Sequence, residues 1–96
     1  MAEIVLDGRE LTSMEEVHAL FIRALALPEH YGRSLDALFD CLTDLKAPVT
    51  VLPRDATVRL RCRETLEDRL GRRGRALVRL LRRAAEENPR LTLLEE

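Results

Sequence analysis

The chain predicts an α/β domain: a three-stranded parallel sheet packed by helices in the order βααβααβ. Three observations predict it. Short aliphatic runs stand near the start, the middle and the end of the sequence. Helical apolar periodicity fills both intervals between them. Each interval is long enough for a parallel crossover, and such crossovers are right-handed. The 96 residues suit one domain over 1–96, with a modest core and no repeat, linker or low-complexity segment.

The first strand is Glu3 to Asp7, around Ile4-Val5-Leu6, and Asp7-Gly8 turns it. Ser13-Met14-Glu15-Glu16 is a capping box, in which the Ser13 hydroxyl accepts from the third helical amide and Glu16 reaches back. Val17, Leu20, Phe21, Ala24 and Leu25 then recur at i, i+3, i+4, i+7 and i+8, one apolar helical face. His18, beside Val17, reads as surface. Pro28 ends this helix, with Leu27 before it biased to an extended conformation. Ser34 caps a second helix over 34–45, with apolar positions at Leu35, Leu38, Leu42 and Leu45.

Ala47 to Leu52 reads as the second strand, through Val49, Val51 and Leu52, and Pro53 stops it. Asp55 or Thr57 then caps a third helix. Val58, Leu60 and Cys62 alternate, so a strand competes there. The i, i+4, i+8 and i+12 spacing of Val58, Cys62, Leu66 and Leu70 favours the helix. Gly71 to Gly74 is a break. Ala76, Leu77, Leu80, Leu81, Ala84 and Ala85 form a fourth helical face, closed by Asn88-Pro89. The last strand is Leu91 to Leu94.

No apolar run approaches a membrane span. The start Met1-Ala2-Glu3 is acidic where a signal peptide is basic, so the expected compartment is the cytoplasm, with no membrane partner. Cys41 and Cys62 fall at apolar positions of helical patterns and are expected as a reduced, buried pair. Two cysteines and two histidines without close spacing make a poor zinc site. The net charge of −1 hides an asymmetry. Residues 1–53 carry four basic and nine acidic groups, whereas residues 54–90 carry twelve arginines and six acids. The halves have opposite fields, and either can steer a partner.

Catalytic signatures are missing: no phosphate-binding glycine loop, no dinucleotide fingerprint and no HExxH. His30 has no serine or cysteine nucleophile at informative spacing, and Asp40 beside Cys41 disfavours a thiolate. The chain is therefore read as no enzyme, with no catalytic residue, metal or cofactor.

The informative stretch is Leu27-Pro28-Glu29-His30-Tyr31-Gly32-Arg33-Ser34-Leu35-Asp36-Ala37-Leu38-Phe39-Asp40-Cys41-Leu42, a glycine-containing loop opening into the second helix. Asp36 and Asp40, at i and i+4, project from one helix face. Asp36 also suits the first turn, where the helix dipole favours an anion; Asp40 gains much less there. Phe39 is either the edge of a wide apolar stripe or an aromatic anchor at an interface. An acidic patch with such an anchor suits a cationic, phosphate-binding site on another protein.

LPEHYGRSLDALFDCLTDL resembles the loop and second helix of the barstar family of intracellular ribonuclease inhibitors, and the βααβααβ order matches that fold across the whole chain. The resemblance implies an inhibitor that plugs the active site of a secreted or toxin ribonuclease, barnase-like or another microbial enzyme, with an acidic loop-helix surface. It implies partner-binding roles for Tyr31, Gly32, Asp36, Asp40 and Thr43. His30 stands where the family archetype has tyrosine, Ser34 where it has asparagine, and Phe39 and Leu45 where it has tryptophans; Asp44 replaces a glycine and adds acid to the patch. Arg83 stands where the archetype has a further interface glutamate. That charge reversal points to a partner other than barnase itself.

The arginines from Arg69 to Arg83 admit a different reading, a small nucleic-acid-binding module that grips phosphate with the last helix. The segment lacks an aromatic residue for base stacking. The preferred reading is a solvated face, with the nucleic-acid module as the alternative.

Overall fold

A computed structural model describes residues 2–27, 34–43 and 55–96. The chain runs β1 (Ala2–Asp7), α1 (Met14–Leu25), α2 (Leu35–Thr43), β2 (Ala56–Arg61), α3 (Arg63–Leu70), α4 (Arg72–Glu87) and β3 (Leu91–Glu95). The strands form one parallel sheet in the order β1-β2-β3, which puts β2 in the centre. The α/β class, the βααβααβ order and the parallel sheet are those the sequence predicts.

The second strand is not where the apolar run predicts it. Ala47 to Leu52 lies outside the described residues, and the strand that pairs with β1 and β3 is Ala56–Arg61. The helix expected from a cap at Asp55 or Thr57 is therefore corrected to a strand up to Arg61. The register gives the reason. Ile4, Val58 and Leu93 form one row across the sheet, and Val5, Arg59 and Leu94 form the next. Ile4, Leu6, Val58 and Leu60 are buried, whereas Arg61 is exposed and Val5 and Leu94 are the exposed large hydrophobics. Among the described residues, helices cover one face only. All-parallel sheets commonly bury both faces and read as continuous apolar runs. With one face in water, alternation is the correct strand signature, and Val58-Arg59-Leu60-Arg61 has it. On the open face Arg59 meets Glu3 at 3.3 Å and Glu96 at 2.8 Å, and Arg61 meets Glu96 at 3.1 Å.

α3 begins only after Cys62, whose φ of 53° is left-handed. Cys62 thus joins strand to helix and does not lie on a helical face. Both cysteines are free thiols but half-buried, which corrects the buried pair. The break expected over Gly71 to Gly74 contracts to Gly71, whose φ is 64°. Gly74 lies buried inside α4, against α3.

The cap of α1 forms as predicted at Ser13, whose Oγ accepts from the Glu16 amide at 3.3 Å. The Glu16 carboxylate reaches back to Thr12 instead of Ser13, accepting from its Oγ1 at 2.6 Å. Ala26, left-handed at φ 51°, ends the helix, and the Leu27 amide donates to the Ile22 carbonyl at 3.2 Å. Pro28 lies outside the described residues. Val17 and Phe21 are fully buried in the core with Leu38, Leu42, Leu66, Leu77 and Leu81. Each such side chain contributes about 1.5–3 kcal/mol by leaving water. His18 is buried too, at 5% exposure, and is corrected from a surface residue. At 3.6 residues per turn it sits only about 20° around the helix from Leu25, on the margin of the apolar stripe.

Candidate functional site

α2 holds the acidic patch. The Ser34 Oγ accepts from the Ala37 amide at 3.1 Å, satisfying one of the helix's unpaired first-turn donors. Leu38 and Leu42 are fully buried, which fixes the rotation of the helix and turns Asp36 and Asp40 outward. Both are exposed. Among the described residues, neither aspartate makes an ion pair. The Thr43 Oγ1 donates to the Phe39 carbonyl at 2.7 Å, so that hydroxyl closes the last turn. Phe39 is half-buried against the core, between the apolar face and the acids. It is thus both the edge of the stripe and partly open to solvent.

α4 is the platform beneath α2. Asp36 and Arg73 line one groove, the Arg83 guanidinium lies 5.1 Å from the Phe39 ring centroid, and Asn88 Nδ2 donates to the Leu42 carbonyl at 2.8 Å. Taken in order, these pairs show that α2 and α4 run in the same direction. The Arg83–Phe39 contact is worth about 0.5–1 kcal/mol at an exposed site. The groove, of about 480 Å³, opens between the starts of α1, α2 and α4, and also takes Glu15, His18 and Ser34 into its walls.

The arginines divide by location. Arg82 is held by Glu95 through bonds of 2.6 and 3.2 Å. Arg72, Arg73, Arg75 and Arg79 are exposed and, among the described residues, form no ion pair. No group of three or more His, Cys, Asp or Glu among the described residues could hold a metal ion. No helix there is long and apolar enough to cross a membrane.

Of the residues that the sequence marks for partner binding, Ser34, Asp36, Phe39, Asp40 and Thr43 come together on α2. His30, Tyr31, Gly32 and Asp44 lie outside the described residues, as does Leu45. Sequence reasoning missed the tie from Asn88 to Leu42, because nothing in an Asn-Pro helix end announces a partner 46 positions away. It also missed His18 and Arg73 as groove walls. For His18 the signal is its angular place beside Leu25.

Residues 1–94 match the model of the family described as Barstar (barnase inhibitor). The chain belongs to the barstar family. A relative from Bacillus subtilis (strain 168), named "Putative ribonuclease inhibitor YrdF", is 42% identical over 53 residues. That match covers 54% of this chain and 58% of the relative's length, little more than half of each. In this barstar-family chain the exposed Asp36 and Asp40 lie on the second helix of the βααβααβ order, within the segment whose sequence carries the family resemblance.

Proposed function

We propose that this protein binds a ribonuclease and blocks its active site without chemistry of its own. The acidic face of α2 enters the cationic site that otherwise holds RNA phosphate. Asp40 is its centre, supported by Asp36, Phe39 and Thr43, with His30, Tyr31, Gly32, Ser34 and Asp44 contributing from the loop and the helix ends. The observation that carries this reading is a pair of exposed carboxylates, one turn apart and without ion pairs among the described residues, on a helix anchored in a barstar-family fold. The proposed setting is the cytoplasm, where the inhibitor meets a secreted or toxin ribonuclease before export. The complementary fields of acid patch and cationic site speed association.

The test is an inhibition assay against the ribonuclease encoded nearest this gene, with the parent protein and Asp40→Ala, at low and high salt. The reading fails if the parent does not inhibit. The plug mechanism fails if Asp40→Ala inhibits as well as the parent. The exposed arginines of α4 favour one second reading, a phosphate-gripping module. Steeply salt-dependent binding of bulk RNA, with no inhibition, would put that in its place.

A further inference from the structure

We infer that the docking surface of this chain is bipolar, and that Arg83 is a specificity-determining residue that pairs with a carboxylate at the edge of the ribonuclease's cationic site. This rests on the inhibitor reading above and adds the chemistry of the partner's rim.

Arg83 is set apart from the other arginines by what holds it. Arg59 and Arg61 are fixed by Glu96, and Arg82 by Glu95, at 2.6–3.1 Å. Among the described residues the acid paired with Arg83 is Glu87, at 3.8 Å, too far for a hydrogen bond, and the Arg83 side chain is 70% exposed. Its firm contact is the Phe39 ring. A ring locates a guanidinium without neutralising it, and leaves its N–H edges open to a carboxylate in the forked geometry that arginine favours.

That location is on the acidic helix itself. Phe39 precedes Asp40 directly and follows Asp36 by three positions, so Arg83 is anchored at the border of the carboxylate patch. The two charges do not cancel internally, since neither aspartate makes an ion pair among the described residues. The surface therefore offers carboxylates and, beside them, a guanidinium whose ion pair with Glu87 is loose and solvent-exposed. A partner with cations alone would place a like charge over Arg83, which opposes binding. A partner with cations opposite Asp36 and Asp40 and a carboxylate opposite Arg83 matches these three groups.

The experiment titrates the ribonuclease encoded nearest this gene with the parent protein, Arg83→Gln and Arg83→Glu, at low and moderate salt, alongside thermal unfolding of each. Arg83→Gln should weaken inhibition by about three- to fivefold, as for loss of a rim ion pair. Arg83→Glu should weaken it by at least about tenfold, because it adds like-charge repulsion. Both should stay cooperatively folded, unfolding no more than about 8 °C below the parent as the Phe39 contact is lost, and Arg83→Gln should show a shallower salt dependence. Either variant inhibiting as well as the parent, or better, overturns the pairing while parental inhibition leaves the plug mechanism standing. A parent that inhibits nothing removes both.

Discussion

Asn88 at the end of α4 donates its side-chain amide to the carbonyl of Leu42, in the last turn of α2, at 2.8 Å. The same residue closes α4 through its own amide, which donates to Ala84 at 2.9 Å, and its Oδ1 accepts from the Arg90 amide at 3.0 Å. It is 7% exposed, so these groups have no ready water to replace one another. Asn88→Ala should lower stability by about 1–3 kcal/mol, the cost of leaving a buried polar group unpaired. Urea titration should show a lower midpoint with an unchanged slope. A midpoint equal to the parent's would show that the tie contributes nothing.

Gly8 is the tightest approach in the turn after β1. A Cβ there would collide with the carbonyl oxygen of Cys62 and come within 2.5 Å of the Leu66 amide nitrogen. Those are backbone atoms and cannot swing away, so Gly8→Ala should cost about 1–3 kcal/mol or more as an overpacked site. Gly71 has open space around it but a φ of 64°. Gly71→Ala should therefore cost about 1 kcal/mol, from strain alone. Chemical denaturation of the two variants should rank them in that order.

Asp40→Ala should reduce inhibition most among the α2 variants. The expected loss is about 2–5 kcal/mol, a range for truncating a buried charge pair in which barnase–barstar is itself a reference system. Asp36→Ala should cost less, and Arg79→Ala little. All three side chains are exposed, so circular dichroism and thermal unfolding should match the parent while inhibition constants diverge. Equal constants for Asp40→Ala and Arg79→Ala would contradict this ranking.

Acid should destabilise the fold through its sheet edges. The hydrogen bond from the Arg9 side chain holds the Asp7 carboxyl below its ordinary value. Arg82 does the same for Glu95, and Arg59 with Arg61 for Glu96. Such a group binds fewer protons folded than unfolded. Its contribution is therefore complete above the unfolded-state pKa and is lost as pH falls through the folded-state value. These three groups predict a denaturation midpoint that is level between about pH 6 and 8 and declines below about pH 4. Arg59→Gln and Arg82→Gln should flatten the decline.

The βααβααβ element order and the cap at Ser13 were legible because they rest on local signals: aliphatic runs, capping side chains and helical spacing. The acidic face of α2 was legible because Leu38 and Leu42 alone fix its rotation. β2 was not, since a parallel strand with one wet face alternates like an antiparallel one, and Val58, Cys62, Leu66 and Leu70 mimic a helix by coincidence of spacing. The burial of His18 depends on packing at the stripe's edge, which residue type does not reveal. Arg83 could be marked by its place in the family pattern. Its seat over Phe39 needed the crossing of α2 and α4.

The register of the central strand also predicts an order of assembly. β1 meets β2 across 54 positions, from Ala2 to Ala56, whereas β2, α3, α4 and β3 follow one another within a continuous stretch from Ala56 to Glu95. Long loop closures delay parallel pairing. The carboxy-terminal unit is therefore predicted to form first, with α2, whose last turn bonds to Asn88, joining later. In stopped-flow kinetics, Asn88→Ala should accelerate unfolding more than it slows folding. A chain caught before that bond forms would have its sheet without the surface proposed to meet a nuclease.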